Sequence, residues 1–142
     1  MADLASLRVT IPSCPEALGR LRTQVEQVAG LAGFDAHGCG LIALAIDEAL
    51  TNVIRHGYLG RPDGTIELSV TPTQPPGLTV VIEDRGRTVD PATIQGRDLQ
   101  DVRPGGLGVH LMREIMDSCQ WQAREGGGMR LTMCKSLAPC PR

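Results

Sequence analysis

Hydrophobic periodicity changes repeatedly along this chain, and each change restricts what a segment can become. Leu7, Val9 and Ile11 alternate with Arg8 and Thr10, the period of a half-buried strand, and Pro12 ends the run. Pro15 fits the first turn of a helix on which Leu18, Leu21, Val25 and Val28 recur at helical spacing, closing near Gly30 or Gly33. A second helix is expected from about Cys39 to Tyr58, with Ile42, Ile46, Ala49 and Val53 along one side. Arg61-Pro62-Asp63-Gly64 reads as a turn, because proline presets φ and glycine tolerates positive φ. Ile66, Leu68 and Val70 then alternate with Thr65, Glu67 and Ser69. After the break at Pro75-Pro76-Gly77, Leu78 to Glu83 reads as a more buried strand. The stretch from Asp90 to Pro104 is polar and aperiodic, the length of a functional loop or lid. A third helix is expected from Leu107 to Met116. Strands around Gln120 to Arg124 and Met129 to Lys135 flank Gly126-Gly127-Gly128. The order β-α-α-β-β-lid-α-β-β predicts an α/β sandwich with helices on one face of the sheet. The 142 residues are expected to form a single domain, residues 1–142, closed by a loose tail from Ala138 to Arg142.

Composition narrows the function classes. Only 2 % of residues are aromatic (Phe34, Tyr58 and Trp121), so the core must be aliphatic, and base stacking is essentially unavailable to a single-stranded nucleic-acid binder. A formal charge of −2 leaves no basic face for a phosphate backbone or an anionic membrane, so no direct nucleic acid and no membrane are expected as partners. No run approaches the roughly 18 uninterrupted apolar residues of a membrane span, and Met1 to Leu4 lacks the basic stretch and apolar run of a signal peptide. The five scattered cysteines show neither metal-ligand spacing nor a disulfide framework, which fits a reduced, cytoplasmic setting.

Three segments carry chemistry. Glu48 and Asn52 are four apart and project from nearly one face of the second helix, beside its apolar stripe rather than opposite it. A carboxylate partly shielded at such a boundary is suited to general-base work. The amide oxygen of Asn52 is a hard, neutral ligand suited to Mg²⁺, and His56 continues the stripe one turn on. Asp84 ends an apolar strand, where an ionised carboxylate accepts a hydrogen bond from a purine amine, and Gly86 permits close approach of the backbone. Gly105-Gly106-Leu107-Gly108 opens the third helix and leaves N–H groups uncovered for phosphate; Arg103, just upstream, is within reach of a terminal phosphate. Each segment alone also fits an ordinary amphipathic helix edge, an Asp-x-Gly turn or a flexible connection. In this order they describe an ATP site able to transfer phosphoryl groups, without a GxxxxGK[ST] loop. His37 and His110 read as structural or surface residues, and Met112 and Met116 as core.

Together these residues resemble the Bergerat-type ATPase superfamily, which includes DNA gyrase B, the heat-shock chaperone ATPase and sensor histidine kinases. The nearest branch is that of the bacterial anti-sigma factor/serine-protein kinases of partner-switching systems. The run from Asp47 to Tyr58 is similar to that branch's N box, Val81 to Gly86 to its G1 box, and Gly105 to Asp117 to its G2 box and following helix. The resemblance implies a two-layer α/β sandwich with a mixed, mainly antiparallel sheet. It implies ATP and Mg²⁺ as cofactors, with Glu48 as the base that prepares a substrate serine hydroxyl and Asn52 as the Mg²⁺ ligand. Asp84 matches the adenine-reading carboxylate, Gly86 the close-approach glycine, and Gly106 and Gly108 the phosphate-loop glycines; residues 90–104 match the ATP lid. It further implies a protein serine/threonine kinase that phosphorylates an anti-anti-sigma (STAS-type) antagonist, holds a sigma factor and forms a homodimer. A nucleotide-dependent binding module without turnover is the alternative. An orphan histidine-kinase catalytic domain fits less well, because such domains usually have a longer lid and a phosphorylatable helical hairpin beside them. Two positions depart from the family pattern. Thr88 stands where the second glycine of DxGxG is expected, and Met129 where many relatives carry the threonine of a closing Gly-Thr.

Overall fold

The computed structural model describes residues 6–94 and 107–137. Arg103, Gly105, Gly106, the expected lid from residue 95 onward and the tail lie outside the described residues, as does the side chain of Leu107. Five strands, β1 (Leu7–Pro12), β2 (Thr65–Thr73), β3 (Gly77–Asp84), β4 (Ser118–Ala123) and β5 (Met129–Ser136), form one sheet in the order β1-β2-β3-β5-β4. Helices α1 (Gly19–Leu31), α2 (Ala36–Asn52) and α3 (Leu107–Ile115) complete the sandwich.

Every neighbouring pair of strands is antiparallel, which corrects the expectation of a mixed sheet. The reason is the β4–β5 hairpin. It folds back over Gly126–Gly128 and sets β5 between β3 and β4, running against both. The register is strict on both faces. Leu68 pairs with Ile82 and Val70 with Val80, and those residues pair in turn with Leu131 and Met133, so one face is apolar throughout. Thr65, Glu67, Ser69 and Glu83 alternate onto the other face. Against the apolar face lie Leu21, Val25 and Val28 of α1, Ile42, Ile46 and Leu50 of α2, and Met112 and Ile115 of α3. Fully burying each such side chain stabilises the fold by about 1.5–3 kcal/mol. The core is aliphatic, as the scarcity of aromatics requires.

Helix α2 begins three residues earlier than its apolar stripe suggests, because Asp35 caps it: its Oδ1 accepts the Gly38 N–H at 2.8 Å. The α-helix stops at Asn52, and Val53–Gly57 widen into a π turn in which the Tyr58 N–H donates to the Val53 carbonyl at 3.0 Å. Ala36–Gly57 together make a helix of 22 residues, long and apolar enough by length and composition to cross a membrane. Its apolar side packs against the sheet and the neighbouring helices.

Candidate functional site

A cavity of about 340 Å³ opens between the C-terminal half of α2, the end of β3 and the start of α3. Its walls are chiefly apolar, with Ile82, Ile94, Val109, Met112, Trp121 and Leu131 among them, and a few polar groups project into it.

Strand β3 places the first of these. Leu78, Val80 and Ile82 fill alternate inward positions, and the next inward position is Asp84, a carboxylate only 4 % exposed in a row otherwise made of core residues. Its Oδ1 accepts the N–H groups of Gly86 at 2.8 Å and Met129 at 3.3 Å, and its main-chain carbonyl accepts from Arg124 Nη1 at 2.7 Å. Burial pushes the Asp84 carboxyl above the usual carboxylate range, while the two N–H donors and the Arg124 charge pull the other way. Asp84 lines the cavity, and among the described residues none hydrogen-bonds its Oδ2, which leaves that oxygen available as an acceptor.

Gly86 seats the π turn. A Cβ at this position would collide with the backbone of Gly57, whose carbonyl also accepts the Arg87 N–H at 2.8 Å. The end of α2 and the loop after β3 therefore meet backbone to backbone beside Asp84, which also lies 3.8 Å from where a Gly57 Cβ would stand.

At the other end stand the α2 residues. Asn52 is half-buried and its Nδ2 donates to Met112 Sδ across 4.0 Å, which leaves the amide oxygen as the unengaged acceptor. Glu48, one turn earlier, is half-buried beside the apolar stripe, as its spacing predicts. It lies at the start of α3 rather than among the cavity's described walls: a Cβ at Gly108 would come within 2.6 Å of Glu48 Oε2. A carboxylate beside the first turn of a helix faces the positive end of its dipole. His56 lines the cavity from the exposed side, and Arg87 Nε donates to its carbonyl at 3.0 Å. Its imidazole titrates below the ordinary range, first through desolvation and then through Arg55 and Arg87. The structure thus brings Asn52, His56 and Asp84 to one cavity, with Gly86 behind it and Glu48 and Gly108 at its α3 end. Among the described residues no group of three His, Cys, Asp or Glu is placed to hold a metal ion. A lone amide oxygen suits a divalent cation whose other ligands come from phosphate and water.

Residues 11–135 match the family model described as the histidine kinase-like ATPase domain. The chain belongs to that family. It is 30% identical over 141 residues to the serine/threonine-protein kinase BtrW of Bordetella bronchiseptica, covering 96% of this chain and 95% of that one. It is 28% identical over 136 residues to the serine-protein kinase RsbW of Listeria innocua, covering 89% and 85% respectively. Among solved structures, the RsbU and RsbW domains of a Mycobacterium tuberculosis protein align with a TM-score of 0.67 at 19% identity. That alignment covers 96% of this chain and 34% of the crystallised one, so this chain spans about a third of its length. A blue-light activated histidine kinase of Erythrobacter litoralis aligns with a TM-score of 0.55 at 22% identity, over 96% of this chain and 66% of that one. Both structures share the fold.

Within this family the two departures have physical substitutes. Thr88 does not adopt positive φ; its hydroxyl accepts the Gly128 N–H at 2.8 Å and lies 3.4 Å from the Gly128 carbonyl. A side-chain clamp to the β4–β5 turn thus stands at the position of a flexible glycine. Met129 keeps the backbone contact to Asp84 and adds a buried apolar wall in place of a hydroxyl.

Sequence reasoning missed three contributors. Met112 is core, as expected, yet it also holds the Asn52 amide. Trp121 lines the cavity under the Arg113 guanidinium, 5.3 Å from the ring centroid, and Arg113 Nη2 donates to the Ile94 carbonyl at 3.1 Å. The only signal was that Trp121 is the sole tryptophan.

Proposed function

We propose that this chain is an ATP-dependent serine/threonine protein kinase and anti-sigma factor. In this reading it phosphorylates an anti-anti-sigma antagonist of STAS type, sequesters a sigma factor, and works in the cytoplasm as a homodimer. The names of its serine-protein kinase relatives support the reading, and the family implies use of ATP. The observation that carries it is the placement of three groups: Asp84 and Asn52 line one cavity, and the Glu48 carboxylate lies beside it against the first turn of α3.

Asp84 Oδ2 accepts from the purine amine, and the apolar walls take the ring. The Asn52 oxygen would hold Mg²⁺, with its Nδ2 turned 4.0 Å from Met112 Sδ. Bound MgATP supplies the phosphoryl group and the charge neutralisation that transfer requires. Glu48 orients the substrate hydroxyl and accepts its proton. Gly108 leaves space for that carboxylate, and the glycine run Gly105-Gly106-Leu107-Gly108 cradles the phosphates, with Arg103 on the lid. Residues 1–142 act as one domain with residues 90–104 as lid.

The test mixes the chain with Mg²⁺ and γ-labelled ATP, alone and with candidate antagonist domains from the same genome. Label is expected on a serine or threonine of one antagonist, lost in Glu48→Ala while nucleotide binding persists. Nucleotide binding without transfer to any antagonist would instead favour a binding regulator.

A further inference from the structure

A second concavity of about 560 Å³ shares Gly57 and Arg87 with the Asp84 cavity but has a different character. Three arginines line it, Arg61, Arg85 and Arg87, against a single acidic residue, Asp63. All three arginines are exposed, and none is ion-paired. The ion pairs among the described residues are Arg22–Glu26, His110–Glu114, and Glu83 with Arg124 and Arg130. In a chain of net charge −2, this is a concentration of unneutralised positive charge on a concave surface.

Much of the backbone around it is already engaged. The N–H groups of Tyr58, Arg61, Gly64, Arg85, Gly86 and Arg87 donate to Val53 O, Tyr58 O, Ser13 Oγ, the Tyr58 hydroxyl, Asp84 Oδ1 and Gly57 O respectively. The Tyr58 hydroxyl donates in turn to the Thr65 carbonyl at 2.5 Å. These lining N–H groups form no nest for a phosphate, so recognition falls to the arginine side chains, whose planar forks match carboxylates. Three arginines on an acidic chain are also too few for the extended phosphate contacts of a nucleic acid.

We infer that this concavity docks an acidic segment of a partner protein, one that presents two or three Asp or Glu side chains together. Arg61 and Arg85 make the principal contacts. Arg87 belongs to both cavities, and its Nε donates to the His56 carbonyl at 3.0 Å. The docking itself does not depend on phosphoryl transfer, so failure of the kinase reading leaves it standing.

The experiment uses the full chain and a fluorescein-labelled hexapeptide of alternating Asp and Glu, read by fluorescence anisotropy, with an Asn/Gln peptide as control. Saturable, salt-sensitive binding of the acidic peptide alone is expected, weakened about tenfold in the double variant Arg61→Ala/Arg85→Ala. Neither residue lines the Asp84 cavity, so the variant's melting temperature and MgATP affinity should match the parent and certify its fold. Equal binding of the neutral peptide, or undiminished binding by the variant, would overturn the proposal. Full competition by millimolar inorganic phosphate would assign the arginines to a phosphate ligand instead. Displacement of the peptide by Asp84→Asn, but not by the arginine double variant, would place the peptide in the first cavity and equally overturn it.

Discussion

The Asp84 carboxylate is 4 % exposed and accepts N–H groups from Gly86 and Met129, whereas Glu48 is half-buried and no described residue hydrogen-bonds its carboxylate. The fold treats one functional group in two ways along one site. At Asp84 it sets the carboxylate into a core row of β3 and fastens one oxygen, so that the other points in a fixed direction. Such a group can read a ligand, because recognition needs an acceptor that does not move. At Glu48 it supplies only a close neighbour, Gly108, and leaves the side chain able to adjust. A group that must approach a hydroxyl, take a proton and release it needs that freedom. Under the proposed kinase reading, this contrast puts binding at the fastened carboxylate and chemistry at the unfastened one.

The sharpest way to break this division is Glu48→Gln, which keeps the shape and removes the charge. Phosphoryl transfer to a protein substrate should fall by a factor of about 10²–10⁴, the usual contribution of a positioned base. Nucleotide affinity, measured with a fluorescent ATP analogue, should stay within about twofold of the parent, since Glu48 is not among the residues that line the cavity. Loss of binding in step with transfer would dissolve the distinction.

Asp84→Asn probes the rigid end and should act the other way round. Asparagine Oδ1 can still accept from Gly86 and Met129, but an amide donor replaces the acceptor that faces the cavity. ATP affinity should fall about tenfold or more, as expected when a hydrogen bond to a charged group is lost. Stability should move oppositely. The folded pKa of Asp84 lies above its unfolded value, so its contribution is fully present below the unfolded pKa and is lost as pH rises through the folded one. At neutral pH the ionised carboxylate is therefore a net cost that the amide avoids. Urea denaturation should find the stability difference, variant minus parent, larger at pH 7 than at pH 4. A difference that shrinks as pH rises would contradict the burial argument.

Two glycines extend the comparison. A Cβ at Gly86 meets the Gly57 backbone, which cannot rotate away, so Gly86→Ala should cost about 1–3 kcal/mol in urea denaturation. At Gly108 the obstruction is the far end of the Glu48 side chain, and alanine also favours a helix over glycine by roughly 0.8–1 kcal/mol. Gly108→Ala should therefore leave stability unchanged or slightly raised, while displacing Glu48 and slowing transfer.

What was legible in the sequence follows the same divide. The inward place of Asp84 could be read because period-two alternation counts straight from Leu78 through Ile82 to the strand end. Glu48 and Asn52 could be placed on one edge of α2 because helical spacing is local. The π turn could not be read, since Val53–Gly57 is seated on Gly86, nearly thirty residues away along the chain. Nor could the antiparallel place of β5, which decides that Met129 reaches Asp84 and that Trp121 faces the cavity. Even the start of α2 was misplaced, because an apolar stripe marks where a helix becomes buried, whereas Asp35 marks where its hydrogen bonds begin.

The smallest expected effect tests whether the fastened character of the Asp84 cavity extends to its rim. Arg113 lies over the Trp121 ring and donates to the Ile94 carbonyl, joining α3, β4 and the described first residues of the expected lid, just after the Pro91–Thr93 turn. Arg113→Ala removes both contacts. An exposed cation–π pair stabilises by about 0.5–1 kcal/mol, so the melting temperature should drop by only a few degrees, roughly what that energy produces in a domain of this size. The informative readout is fluorescence, because Trp121 is the sole tryptophan and every change in emission reports on this wall alone. Its emission should shift on substitution, and ATP affinity should weaken about twofold to threefold as Ile94 loses its anchor. An unchanged spectrum with unchanged affinity would mean that the rim is held by its apolar residues, and that the rigid end of the site stops at Asp84.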